Sequence, residues 1–260
     1  MIAAELYTLR EHLRDPDTIA AGLDRVRSIG YEGVELAGLG PIEPARLAGL
    51  LRDTGLVACS AHVPWDRLRE QTDKAIEDCR IWACDHVAVP ALPPEYRSAS
   101  GYARFAAEAG EVAARLREAG IRLSYHNHSF ELERFGAETG LEILYRSSDP
   151  SLVGAQIDTY WIQHGGGSPA GWIRRLSGRL QSVHLKDMAV SGGEPVMAEI
   201  GEGNLDWRDV LAACSEAGVA WLIVEQDVCR RDPFESLAIS QSNLAAFLSP
   251  PPSRVQGART

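Results

Sequence analysis

Residues 101–128 read GYARFAAEAGEVAARLREAGIRLSYHNH, and this stretch decides the fold. Gly101–Ala119 places apolar residues at helical spacing, and Gly120 is a helix-ending glycine. Arg122–His128 is then a short apolar run that closes on His126, Asn127 and His128. The same helix–glycine–strand order recurs at Ser28-Ile29-Gly30, Asp53-Thr54-Gly55 and Glu216-Ala217-Gly218. Eight runs read as strands: Ala3–Thr8, Gly33–Ala37, Val57–Val63, His86–Pro90, Arg122–His128, Gly154–Tyr160, Gln181–Lys186 and Leu222–Gln226. Eight helical patterns alternate with them: Thr18–Ile29, Pro44–Thr54, Asp66–Cys84, Gly101–Ala119, Thr139–Arg146, Pro169–Leu176, Trp207–Ala217 and Pro233–Leu248. Such alternation implies a parallel sheet, and eight units of about 32 residues imply a closed (β/α)8 barrel. The α/β barrel is expected to be one domain over residues 1–249, with 250–260 as a flexible tail. A doubly wound open sheet is the alternative, but no G-x-G-x-x-G or G-x-x-x-x-G-K-[ST] fingerprint occurs.

Composition narrows the function classes. Of 260 residues, 26 are basic and 36 acidic, a net charge of −10 that argues against nucleic acid and anionic membranes as partners. No signal peptide or spanning segment is evident, and the five cysteines form no CxxC pair. The expectation is a reduced, cytoplasmic protein.

Barrel enzymes carry their chemistry at the C-terminal ends of the strands. There this sequence sets Tyr7 and Thr8, Glu35, His62, Pro90, the His126–His128 run, Asp158, His184 with Lys186 and Asp187, and Glu225 with Asp227. Burying so many imidazoles and carboxylates together is costly without a purpose. His126, Asp158, His184 and Glu225 fall one per strand on the last four strands, and their mixed N/O chemistry suits a divalent metal.

Several motifs carry a resemblance. Gly154-Ala-Gln-Ile-Asp158-Thr-Tyr-Trp161, Val183-His184-Leu-Lys186-Asp187-Met, Ile200-Gly-Glu-Gly203-Asn-Leu-Asp-Trp207 and Val224-Glu225-Gln-Asp227 are specific; Ser60-Ala-His62-Val-Pro and Tyr31-Glu-Gly-Val-Glu35-Leu agree with them. Together they resemble the sugar phosphate isomerase/epimerase family of xylose-isomerase-like TIM barrels, within the AP endonuclease 2 superfamily. The resemblance spans Ile2 to Leu248. It implies one divalent ion, Mn²⁺ ahead of Mg²⁺, Co²⁺ or Zn²⁺, on a Glu, an Asp, a His and a Glu. Asp158, His184 and Glu225 match the last three, but the first motif, commonly Glu-Asn-His, here reads His126-Asn127-His128. Either His126 replaces the glutamate, or a residue such as Glu131 supplies the ligand. The DNA-repair branch of the superfamily uses a His-rich three-zinc cluster; Pro90 and Trp161 stand at positions where that cluster wants ligands, and the acidic charge opposes DNA.

Glu225, His128 and Lys186 are the expected catalytic residues. His62, His128, Lys186, Trp161 and Glu35 are the expected substrate contacts. Structural readings stand beside these: an ion pair of Lys186 with Asp187 or Glu35, a hydrogen-bonded His62, and a core role for Trp161. The expected activity is isomerisation or epimerisation of a sugar or keto-sugar through an enediolate. The alternatives are a keto-sugar or keto-inositol dehydratase or 3-keto-glycoside lyase on the same site, and a non-catalytic sugar-binding barrel. The partner is then a small sugar; assembly as a homodimer or homotetramer stays open.

Overall fold

Asp15 and Gly30 show how the sequence cuts its units. The Asp15 carboxylate accepts the N–H groups of Asp17 and Thr18, Pro16 begins the helix, and Gly30 ends it at φ 113°. The computed structural model describes residues 1–249, and the expected 250–260 tail lies outside them. Eight parallel strands close a barrel: β1 (Ile2–Glu5), β2 (Gly33–Leu36), β3 (Val57–His62), β4 (His86–Val89), β5 (Arg122–His126), β6 (Val153–Asp158), β7 (Leu180–Leu185) and β8 (Trp221–Val224). Each pairs with the next, and β8 returns to β1. Around them lie α1 (Pro16–Ile29), α2 (Pro44–Thr54), α3 (Trp65–Glu70), α4 (Thr72–Trp82), α5 (Ala99–Glu118), α6 (Gly140–Ser147), α7 (Thr159–His164), α8 (Pro169–Arg175), α9 (Trp207–Glu216) and α10 (Pro233–Leu248). The core fills the layer between strands and helices, with Leu23, Val34, Val87, Phe105, Ile157, Val183 and Leu237 at most 1% exposed. No helix among the described residues is long and apolar enough to cross a membrane.

Four expectations are corrected. The first strand stops at Glu5 rather than Thr8, because the Glu5 carboxylate accepts the Tyr7 N–H and turns the chain into a 3-10 helix, Leu6–His12. The long Asp66–Cys84 helix is two, broken at Gln71 and ended by Ala83 at φ 54°. The sixth strand ends at Asp158, whose Oδ1 accepts the Trp161 N–H and starts α7 at once. Finally, β7 ends at Leu185, and a hairpin of Asp187–Ser191 with Glu194–Ala198 follows it.

Asp187 anchors that hairpin. Its carboxylate accepts the N–H groups of Met188 (2.8 Å), Gly201 (2.9 Å), Gly203 (3.1 Å) and Leu205 (3.2 Å) and the indole N–H of Trp207 (2.6 Å). Gly203 has to be glycine, since a Cβ there would meet Asp187 Oδ1 at 2.2 Å. Asp187 therefore holds the loop and makes no ion pair with Lys186.

Candidate active site

Strand register assembles the site. On β6 and β7, Asp158 lies opposite His184; on β1 and β2, Glu5 lies opposite Glu35. Side chains two apart on a strand share a face, so Gln156 and Asp158 both enter the lumen. His126, Asp158, His184 and Glu225 each bring one donor atom within 4.8 Å of the others, and all four are buried. A cavity of about 410 Å³ opens above them, lined by Tyr7, His62, His126, His128, Glu225 and Asp227. A larger cavity of about 500 Å³ lies outside the barrel, between Leu132, Gly166 and Arg175. It contains none of the clustered residues, so the site is placed in the smaller one.

His184 is held at both ring nitrogens, Nδ1 at 2.8 Å from Glu225 Oε2 and Nε2 at 2.5 Å from Glu35 Oε2. Burial alone would lower its pKa, but Glu35 and Glu225 outweigh burial and raise it to about 10. Burial likewise pulls Glu225 upward, yet Lys186 and His184 keep it well below the usual carboxylate range. Burial lifts Asp158 to about 6 against the pull of Lys186. Burial first, then Lys186, pushes His128 down to about 4, so its ring is neutral near pH 7. Burial and the neighbouring His184 lower His126 as well.

Lys186 is almost fully buried, and its ammonium lies 2.7 Å from Asp227 Oδ2, 2.9 Å from Glu225 Oε2 and 3.0 Å from Asp158 Oδ2. It pairs with neither Asp187 nor Glu35. Glu35 is closed off beneath His184 and accepts the Gln156 amide at 2.7 Å, outside the cavity lining. His62 does reach the cavity, and its Nε2 lies 2.9 Å from Gln156 Oε1. Trp161 stands behind His128, ring centroids 5.3 Å apart, and also does not line the cavity. Glu131 accepts the Tyr125 hydroxyl and the His128 N–H and takes no place in the four-residue cluster, where His126 stands instead.

The donor set fits a divalent ion. Asp158 Oδ2 and His126 Nδ1 are buried without a hydrogen-bond partner, and two imidazoles with two carboxylates at this spacing make a mixed N/O ligand set. The Asp158–Lys186 contact is at ion-pair distance only. Sequence reading set Tyr7 and Asp227 at the strand ends without giving them a role, and it did not single out Gln156. The available signal was register for Gln156, two before Asp158, and for Asp227, two after Glu225.

The xylose isomerase-like TIM barrel family matches residues 23–245. The chain belongs to that family. This xylose isomerase-like barrel is 28% identical over 170 residues to an inosose dehydratase of Lacticaseibacillus casei, covering 58% of this chain and 56% of that protein. It thus spans little more than half the length of that relative. It is 25% identical over 248 residues to an inosose dehydratase of Geobacillus kaustophilus, 79% of each chain. The crystal structure of a sugar phosphate isomerase/epimerase from Parabacteroides distasonis superposes with a TM-score of 0.82 at 20% identity, over 95% of this chain and 99% of that one, and shows the shared fold.

Proposed function

We propose that the chain is a divalent-metal-dependent isomerase or epimerase that removes the proton beside the carbonyl of a sugar or keto-sugar. The observation that carries this is the four-residue donor cluster at the floor of a cavity wide enough for one sugar ring. His126, Asp158, His184 and Glu225 would hold the ion. Bound there, the ion would draw electrons from a carbonyl oxygen and so acidify the neighbouring C–H. Glu35 accepts the Nε2–H of His184, which fixes the ring and points Nδ1 at the cluster. His128 is the proton acceptor: it lines the cavity, its ring is neutral, and its main-chain N–H is fixed by Glu131. Lys186, buried behind the cavity wall, holds the carboxylates of Asp158 and Glu225 and adds positive charge beneath the site. Returned by His128 to the former carbonyl carbon, while the neighbouring hydroxyl proton passes to the former carbonyl oxygen, that proton completes an isomerisation. Epimerisation needs a second proton-carrying group, a role we assign to Glu225, which also lines the cavity.

A second reading is favoured by the names of the relatives. The same proton, passed instead to a β-hydroxyl, expels water and makes the protein a dehydratase of a keto-inositol or keto-sugar. Incubating the Mn²⁺-loaded protein with an inosose and a panel of ketohexoses in D₂O separates the two. Deuterium washed into recovered sugar supports the isomerase; irreversible loss of water supports the dehydratase. Neither result with any substrate, from protein that binds metal, would leave a sugar-binding barrel. Asp158→Ala should lose the metal, and His128→Gln should keep the metal and lose proton exchange.

A further inference from the structure

Lys186 raises a problem that the four-residue cluster does not solve. Its ammonium has three carboxylate partners, and two of them, Asp158 and Glu225, belong to the donor cluster. A divalent ion on those two carboxylates competes with the ammonium for the same negative charge. A buried ammonium left without a counter-charge is expensive. The third partner, Asp227, is outside the cluster, makes the shortest of the three contacts at 2.7 Å, and reaches the cavity with its side chain 26% exposed.

We propose that Asp227 is a positioning residue that retains the Lys186 ammonium when a divalent ion takes Asp158 and Glu225. This rests on the metal-dependent reading above. Three carboxylates and one ammonium carry a net −2, which a divalent ion brings to zero. Without Asp227 the ammonium keeps no carboxylate partner that the ion does not also claim. Asp227 therefore sets ion affinity without being a ligand. Lys186 itself is buried and does not line the cavity, so the expected substrate contact is not made by its side chain; Asp227 stands between its ammonium and the cavity. The Lys186 main-chain N–H is held by Thr159 Oγ1 at 2.9 Å, and its ammonium lies 5.8 Å from the Trp161 ring centroid.

The test is Mn²⁺ affinity at fixed pH, read from the free-ion EPR signal, in wild type, Asp227→Asn, Asp227→Glu, Lys186→Met and the Asp227→Asn/Lys186→Met pair. Asp227→Asn should weaken binding at least tenfold, about 1.4 kcal/mol, and Asp227→Glu should stay within about threefold of wild type. Lys186→Met should bind at least as tightly as wild type. In that background Asp227→Asn should weaken binding far less than tenfold, because no ammonium remains to strand. A merely structural Asp227 would not be rescued by removing Lys186. Wild-type affinity in Asp227→Asn, or the same loss with and without Lys186, overturns the proposal while leaving the metal reading intact. Wild-type protein that takes up no Mn²⁺ overturns both. If Asp227→Asn does not fold, Lys186→Met decides: weaker binding than wild type refutes the competition on which the argument depends.

Discussion

Replacing Asp187 by Asn should cost about 3–6 kcal/mol of stability and leave metal uptake unchanged. The carboxylate divides five donors between its oxygens: Met188 and Leu205 N–H on Oδ1; Gly201 N–H, Gly203 N–H and the Trp207 indole on Oδ2. An asparagine keeps one acceptor oxygen. In its better orientation it serves the Oδ2 group and turns an NH₂ toward two N–H donors. Each of the two lost bonds ran to a charged acceptor, worth about 1.5–3 kcal/mol apiece. Against a total stability of roughly 5–15 kcal/mol, this is a large fraction. Urea unfolding followed by far-UV circular dichroism reads it directly, and the melting temperature should drop by roughly 6–12 °C, about 2 °C per kcal/mol for a chain of this size. Mn²⁺ affinity should stay within about threefold, because Asp187 touches none of the clustered residues. A loss below about 1 kcal/mol would refute the hydrogen-bond account, and a collapse of metal uptake in a folded variant would return Asp187 to the Lys186 network.

Three further outcomes follow from the geometry. His184 carries a proton to about pH 10, so ion uptake must displace one; affinity should rise about tenfold per pH unit between pH 6 and 8, and calorimetry in buffers of different ionisation enthalpy should show the released proton. Burial holds the Glu131 pKa at about 7, above its unfolded value of about 4.5. The folded state therefore binds the extra proton, and stability falls by about 3 kcal/mol as pH rises from roughly 4.5 to 7 and then levels off. Glu131→Gln should remove that fall, as urea midpoints at pH 5 and pH 8 would show. Ala83 ends α4 at φ 54°, a conformation that glycine adopts without a Cβ clash, so Ala83→Gly should stabilise by about 0.5 kcal/mol; an unchanged or lower urea midpoint counts against it.

The barrel was legible because its turns are written in glycine. Gly30, Gly55, Gly120 and Gly218 all take positive φ at the helix-to-strand turns, where the sequence pattern expects them. Their neighbours' apolar runs needed only end corrections. The four cluster residues were legible because each lies at or next to the C-terminal end of a strand, and topology brings strand ends together. Asp158 misled in one respect: a single side chain serves both the cluster and the first turn of α7, and the second use is invisible from spacing. The hairpin after Leu185 was hidden because its core-facing content is slight, with Ser191, Glu194 and Pro195 exposed. Contacts across the lumen were out of reach altogether. Glu35 and His184 are 149 positions apart, and nothing local to either marks the pairing. Lys186 shows the same limit, since its three partners lie on two other strands and beyond their ends.

The seam of the barrel has a consequence for how the molecule comes into being. Ile2 pairs with Leu222 and Ala4 with Val224, so the ring closes through contacts spanning nearly the whole described chain. Such long-range pairing is slow to form, and it leaves sheet edges open while it waits. During synthesis, β1 must persist without one of its two neighbours until β8 has left the ribosome. The segment that completes the ring also delivers Glu225 and Asp227. Closure and site assembly are thus one late event, and a chain stalled earlier in synthesis has neither a finished wall nor a complete set of donors to trap an ion prematurely.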